Sequence, residues 1–199
     1  MTILDEIAAY TSKRMTAEEE QVSTASLRRQ ALAMALAERE ANGGAFPFRF
    51  GAALAKPGLS FICEVKKASP SKGVIAEEFT YLDIAKSYEA AGAAAISCLT
   101  EPKWFMGADA YLAEIAAETS VPVLRKDFVV CERMIYQAKV LGASAVLLIC
   151  AILNDEQLIA YRALAESLGL SVLVEAHDEE EIERAVESGA KIVGVNNRN

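Results

Sequence analysis

The chain has 199 residues, 53% of them hydrophobic, and a net charge of −8. That is long and apolar enough for one sizeable core, while the acidic balance argues against a general nucleic-acid binder, which carries a basic face. No apolar run approaches the roughly 20 residues that span a membrane, and residues 1–14 carry acidic and polar groups where a secretion signal has an apolar core.

Residues 2–41 read as helical. Ile3, Leu4 and Ile7 share one face of a first helix by their spacing of three and four. The Ala-rich run 27–38 gives a second helix, stopped at Asn42-Gly43-Gly44. Residues 45–58 read as a connector. Phe46, Phe48 and Phe50 alternate within it, as in an extended stretch that presses three rings on one surface.

A period then sets in. Strands are expected at 59–65, 94–99, 121–125, 145–150, 171–174 and 191–195, with the run 59–63 buried. Helices are expected between them at 81–91, 108–118, 131–141, 155–168 and 179–188. Gly92, Gly142, Gly169 and Gly189 close four of these helices, each followed by an apolar residue that enters the next strand. Short apolar strands separated by helices mean a parallel sheet covered on both faces. A doubly wound sheet and a (βα)8 barrel both fit. No Gly-x-Gly-x-x-Gly follows the first strand, which weakens the dinucleotide-binding version.

The polar residues decide between them. Glu64 and Lys66 alternate with Val65, so both point to one side of the first strand. The second strand ends in Ser97, Thr100 and Glu101, the third in Arg125, Lys126 and Asp127, the fifth in Glu175, and the sixth in Asn196 and Arg198. The fourth, residues 146–149, offers apolar wall only. In a parallel barrel these ends share one rim, where barrel enzymes place their active sites. The turn Ser69-Pro70-Ser71-Lys72-Gly73 offers hydroxyl, N–H and ammonium donors to an anion. Against the net negative charge, attraction for an anionic ligand must be local, from Lys66, Lys67, Lys72, Arg125, Lys126 and Arg198. His177 reads as a surface helix-start residue, with no Ser or Cys nucleophile arranged around it. Trp104 reads as packing. Cys63, Cys98, Cys131 and Cys150 are widely spaced and read as reduced core residues of a cytoplasmic protein.

The segment Phe61-Ile-Cys-Glu-Val-Lys-Lys-Ala-Ser-Pro-Ser-Lys-Gly73 resembles the signature of the indole-3-glycerol-phosphate synthase family, whose first barrel strand reads Glu-x-Lys-x-x-Ser-Pro-Ser. Leu99-Thr-Glu-Pro-Lys-Trp-Phe105, Pro122-Val-Leu-Arg-Lys126-Asp-Phe128, Val146-Leu-Leu-Ile149, Leu173-Val-Glu175 and Gly194-Val-Asn-Asn-Arg198 resemble its second to sixth strands, so the likeness runs along essentially the whole chain. It implies a TIM-type (βα)8 barrel, about six βα units of it within residues 46–199, behind an N-terminal helical extension at 1–45, the whole a single domain. It implies ring closure of 1-(2-carboxyphenylamino)-1-deoxyribulose 5-phosphate to indole-3-glycerol phosphate, with loss of carbon dioxide and water, in tryptophan biosynthesis. No metal or organic cofactor is implied, and the partner is the phosphorylated small molecule, not nucleic acid or membrane. By the same resemblance Lys126 is the general acid and Glu175 the base. Lys66 is a second acid or an ion-pair partner for substrate, and Glu64 orients Lys126 or the anilinic nitrogen. Asn196 and Arg198 position substrate, Phe105 and Phe128 wall the aromatic ring, and Ser69 orients substrate near its phosphate.

Asn199 follows directly on the sixth strand. The chain is therefore expected to be a barrel truncated after that strand, with open edges through which it could self-associate. The competing expectation is an inactive fragment that acts only by association or ligand binding. A sugar-phosphate isomerase barrel is a further alternative, against which the Glu64, Lys66 and Ser69-Pro70-Ser71 set counts.

Overall fold

The computed structural model describes residues 2–197, and Arg198, expected to bind substrate, lies outside them. Two long helices come first, α1 (Ile3–Gln21) and α2 (Thr24–Ala41), followed by the short α3 (Arg49–Leu54). Six strands then form one parallel sheet: β1 (Ile62–Val65), β4 (Ala95–Leu99), β5 (Val123–Lys126), β6 (Ala145–Ile149), β7 (Ser171–Ala176) and β8 (Ile192–Val195), ordered as in the sequence. Helices α4 (Tyr81–Ala90), α5 (Asp109–Glu118), α6 (Glu132–Val140), α7 (Asp155–Ser167) and α8 (Glu179–Glu187) alternate with them. This is the βαβ order that the glycine stops imply. Gly92, Gly142, Gly169 and Gly189 all hold positive φ after a helix. Among the described residues no helix is long and apolar enough to cross a membrane.

The sheet separates two apolar layers, because successive residues of a strand face opposite sides. Ile96, Cys98, Val123, Val146, Leu148, Val172 and Val174 pack outward beneath the helices. Ala95, Leu124, Ala145, Leu147 and Ile149 pack inward around Phe50, with Leu173 and Ile192 against them. Two N-terminal elements close the inner face. Phe50 and Leu54 of α3 fill it, and the Gly51 N–H donates to Ser171 Oγ at the start of β7. Ile7 of α1 is buried in the same cluster, with Leu4 packed against it. Further along the N-terminal helices, Arg133 of α6 donates to the Val22 and Glu18 carbonyls that end α1, and Lys139 pairs with Glu38 of α2.

Three expectations need correction. Phe46, Phe48 and Phe50 do not share an extended surface. Phe48 takes a left-handed φ of 41° and starts α3, which turns Phe50 into the core and leaves Phe46 and Phe48 edge to face at 5.9 Å. The run 59–63 is not buried: Leu59 is 90% and Phe61 66% exposed. They lie just before β1, an outer strand that among the described residues pairs with β4 alone. Finally, the polar turn after β1 is a small hairpin, β2 (Ala68–Ser69) against β3 (Gly73–Val74).

Candidate active site

The C-terminal ends of the parallel strands carry a cavity of about 480 Å³, within the range of small-molecule sites. Its apolar wall comes from Ile3, Leu4 and Ile7 of α1, Leu99, Phe105, Phe128, Leu147 and Ile149. Its polar groups are Glu64, Lys66, Ser71, Lys126, Asp127, Glu175, His177 and Asn196. A wider, more open groove of about 870 Å³ lies between α1 and α6. There the Arg133 guanidinium is already committed to Glu19 and the end of α1.

Register explains the polar group. Glu64 of β1 lies level with Ser97, Lys126 of β5 with Leu99, and Glu175 of β7 with Ile149 on one side and Gly194 on the other. Lys126 Nζ donates to Glu175 Oε2 at 2.8 Å across the site, and Asn196 Nδ2 donates to Glu175 Oε1 at 3.0 Å. Lys66 pairs with Glu64 on the opposite side. Burial opposes ionisation of Glu175, yet the Lys126 ammonium, with hydrogen bonds from Lys126 and Asn196 and the nearby His177, holds its carboxyl below the ordinary value of 4.5. Glu175 therefore contributes stability that is fully present above that value and is lost as pH falls through its lower folded value. Thermal melts of the wild-type chain and Glu175→Gln across the acid range should differ at neutral pH and converge below 4.5. A gap that widened on acidification would mean Glu175 is not the ionised, paired group.

Of the residues expected at the site, Glu64, Lys66, Phe105, Lys126, Phe128, Glu175 and Asn196 line one cavity. The rings of Phe105 and Phe128 lie 6.1 Å apart, tilted by 37°. Ser69 is buried in β2, and its neighbours Pro70 and Ser71 face the cavity. One expectation fails on strand alternation. Arg125, a candidate for anion attraction, points out of the site. It is fully buried under the helices, where its guanidinium donates to Thr100 Oγ1 at 3.2 Å, the Met134 carbonyl at 3.0 Å and Asp109 Oδ1 at 2.9 Å. The Asp127 carboxylate is held by Arg14 at 2.9 Å, Thr100 at 2.9 Å and the Phe128 N–H at 2.8 Å. Both residues brace the strand end that presents Lys126.

His177 is the other correction. It is half-buried and lines the cavity, with Nε2 3.8 Å from Glu175 Oε1. Its Nδ1 lies 3.0 Å from Glu181 Oε2, a carboxylate oxygen that also accepts the His177 N–H at 2.7 Å. The signal was available, because His177 stands two residues beyond Glu175 and so shares its side of the strand.

The loop after β4 completes the wall. Gly107 is its fixed point, since a Cβ there would run into the Leu99 carbonyl. Gly107→Ala is accordingly expected to destabilise the chain by about 1–3 kcal/mol, read from denaturant unfolding. An unchanged midpoint would show that the loop yields freely.

Chemically the site offers an ammonium and a carboxylate in contact, a second such pair, an apolar wall that includes two neighbouring phenylalanines, and a donor-rich hairpin at its margin. That set suits proton transfer to and from a flat, partly apolar ligand. Among the described residues no group of three or more His, Cys, Asp or Glu side chains is placed to hold a metal ion.

The comparisons agree in direction. The family model described as indole-3-glycerol phosphate synthase matches residues 4–199. The chain is 51% identical over 197 residues to the indole-3-glycerol phosphate synthase of Ruminiclostridium cellulolyticum, covering 99% of this chain and 73% of that protein. It is 46% identical over 200 residues to that of Lachnoclostridium phytofermentans, covering 99% and 74%. It is 50% identical over 197 residues to that of Endomicrobium trichonymphae, covering 99% and 73%.

Proposed function

The chain belongs to the indole-3-glycerol phosphate synthase family, and from that premise we propose that the cavity at its strand ends closes the indole ring, with Lys126 as general acid and Glu175 as base. The protein is a carboxy-lyase of tryptophan biosynthesis. In this reading its six parallel strands belong to a barrel of the TIM type, and the substrate is 1-(2-carboxyphenylamino)-1-deoxyribulose 5-phosphate.

The observation that carries the reading is the Lys126–Glu175 contact opening into an apolar slot. The ring carbon bearing the carboxylate attacks the ketone carbon, and a carbon–carbon bond forms. The ketone oxygen gains negative charge and takes a proton from Lys126. Carbon dioxide then leaves, returning its electron pair to the ring. Dehydration follows. The new hydroxyl departs as water with a proton from Lys66, and Glu175 accepts the proton released as the second ring becomes aromatic.

A carboxylate held at low pKa is a weak base, so the pair must part before Glu175 acts. Substrate entering between Lys126 and Glu175 removes the interaction that depresses the carboxyl and leaves burial, which acts the other way. Glu64 holds Lys66, and Asn196 fixes the second oxygen of Glu175. Phe105 and Phe128 take the anthranilate ring edge-on or stacked. The hairpin with Ser69 and Ser71, carrying Lys72, faces the phosphate end.

The test is direct. Mixing the chain with the carboxyphenylamino-deoxyribulose phosphate should generate indole fluorescence. A folded chain that yields none would overturn the reading.

A further inference from the structure

We propose that Glu101 is a positioning residue for this reaction: its buried carboxylate moulds residues 102–107 and thereby sets Phe105 against the aromatic ring of the substrate. The inference rests on the function proposed above. Glu101 stands at the end of β4, at a position that could have joined the acid–base set, and it is fully buried. Its carboxylate is spent on backbone instead. Oε1 accepts the Lys103 N–H at 2.9 Å, and Oε2 accepts those of Trp104 at 2.7 Å and Phe105 at 3.0 Å. Three successive N–H groups converging on one anion form a nest, here with an internal occupant. The Glu101 carbonyl accepts the Gly107 N–H at 2.8 Å, so the same residue closes both ends of the loop.

The loop has two outputs. The Phe105 side chain lines the cavity beside Phe128. The Phe105 carbonyl accepts the Ala68 N–H at 3.2 Å, which ties the hairpin carrying Ser69 to the same frame. Hydrogen bonds to an ionised acceptor are about twice as strong as neutral ones, so one carboxylate can hold a loop that has no ladder of its own. An amide at this position keeps a single acceptor oxygen and turns two donors toward N–H groups.

Trp104, the single tryptophan of the chain, reports on the loop. Its ring lies edge-on to Tyr10 at 5.3 Å, with Lys103 Nζ 4.3 Å from its centroid. In Glu101→Gln the Trp104 emission should shift and become more open to acrylamide, with far-UV circular dichroism unchanged. KM should rise by about tenfold or more while kcat changes by less than about threefold, because a wall acts alike on ground and transition states. Combined with Phe105→Ala, the two losses should not add, since both act through one ring. Additive losses, or a KM equal to that of the unsubstituted chain, would overturn the inference. Amide exchange in the unsubstituted chain decides it even if the variant fails to fold. The amides of Lys103, Trp104 and Phe105 should be protected although Lys103 is exposed, and exchange at open-chain rates refutes the nest. A protected loop in a chain that makes no product would sink the functional reading. Product from a chain with a freely exchanging loop would sink this inference alone.

Discussion

Lys126→Ala is expected to lower kcat by about 10²–10⁴ while leaving the fold intact, the range that one positioned general acid contributes. The side chain is partly exposed at the cavity wall, so its removal opens no void in either apolar layer. Among the described residues its chemical role has no neighbouring substitute. The Lys66 ammonium sits across the site on Glu64, and Arg125 is turned outward onto Asp109 and Thr100. Loss of Lys126 also frees Glu175 from the charge that holds its pKa down, so burial should push the carboxyl upward. The residual activity should therefore fall off at higher pH on its acid side than the parent's does. Steady-state kinetics across pH measures both effects. A kcat within about threefold of the parent would remove Lys126 from the role of acid.

Arg125→Met is expected to destabilise the chain by about 2–3 kcal/mol, because it strands buried acceptors and leaves a partly solvated charge on Asp109. The guanidinium is fully buried and reaches Asp109 at 2.9 Å and Asp127 at 3.6 Å, besides Thr100 and the Met134 carbonyl. Methionine fills much of the volume and satisfies none of these acceptors. Arg14 from α1 already holds Asp127, so the charge imbalance falls chiefly on Asp109, which also accepts from Gln137 at 2.8 Å. For a chain of this size each kcal/mol lowers Tm by about 2–4 °C, and the loss should be plain in a thermal melt. Lys86→Met, at the exposed pair with Glu118, is the control and should change Tm little. Equal effects from the two variants would mean that the network behind β5 carries no special weight.

Much of this architecture is legible in the sequence because glycine and alternation leave strong marks. Each of the six strands of the sheet falls where an apolar run follows a helix stop or a polar connector. The contact of Lys126 with Glu175 is not legible in the same way, since it depends on how β5 and β7 are placed across β6. Other features were hidden for definite reasons. A left-handed Phe48 has no residue signature, as glycine would. Strands of two residues, as in β2 and β3, are too short to show a period. Leu59 and Phe61 precede the outer strand β1, and their exposure follows from that place in the sheet, which their own apolar side chains do not record. Arg125 and His177 are different. The two-residue period that sends Lys126 and Glu175 inward also assigns these two, and the rim of polar strand ends reads correctly only when each residue is given a side. Glu101 marks the limit of that rule, because its partners are backbone N–H groups of a loop whose path the sequence does not reveal.

A chain that closes the indole ring with loss of the aromatic carboxylate releases one carbon dioxide for each indole product. The most direct measurement supplies substrate labelled at that carboxyl carbon and compares labelled carbon dioxide with indole-3-glycerol phosphate formed over a single turnover. Equal amounts are expected, and with Lys126→Ala both should appear together but more slowly by a factor of about 10²–10⁴. Carbon dioxide without indole product, or neither from a folded chain, would contradict the proposed ring closure.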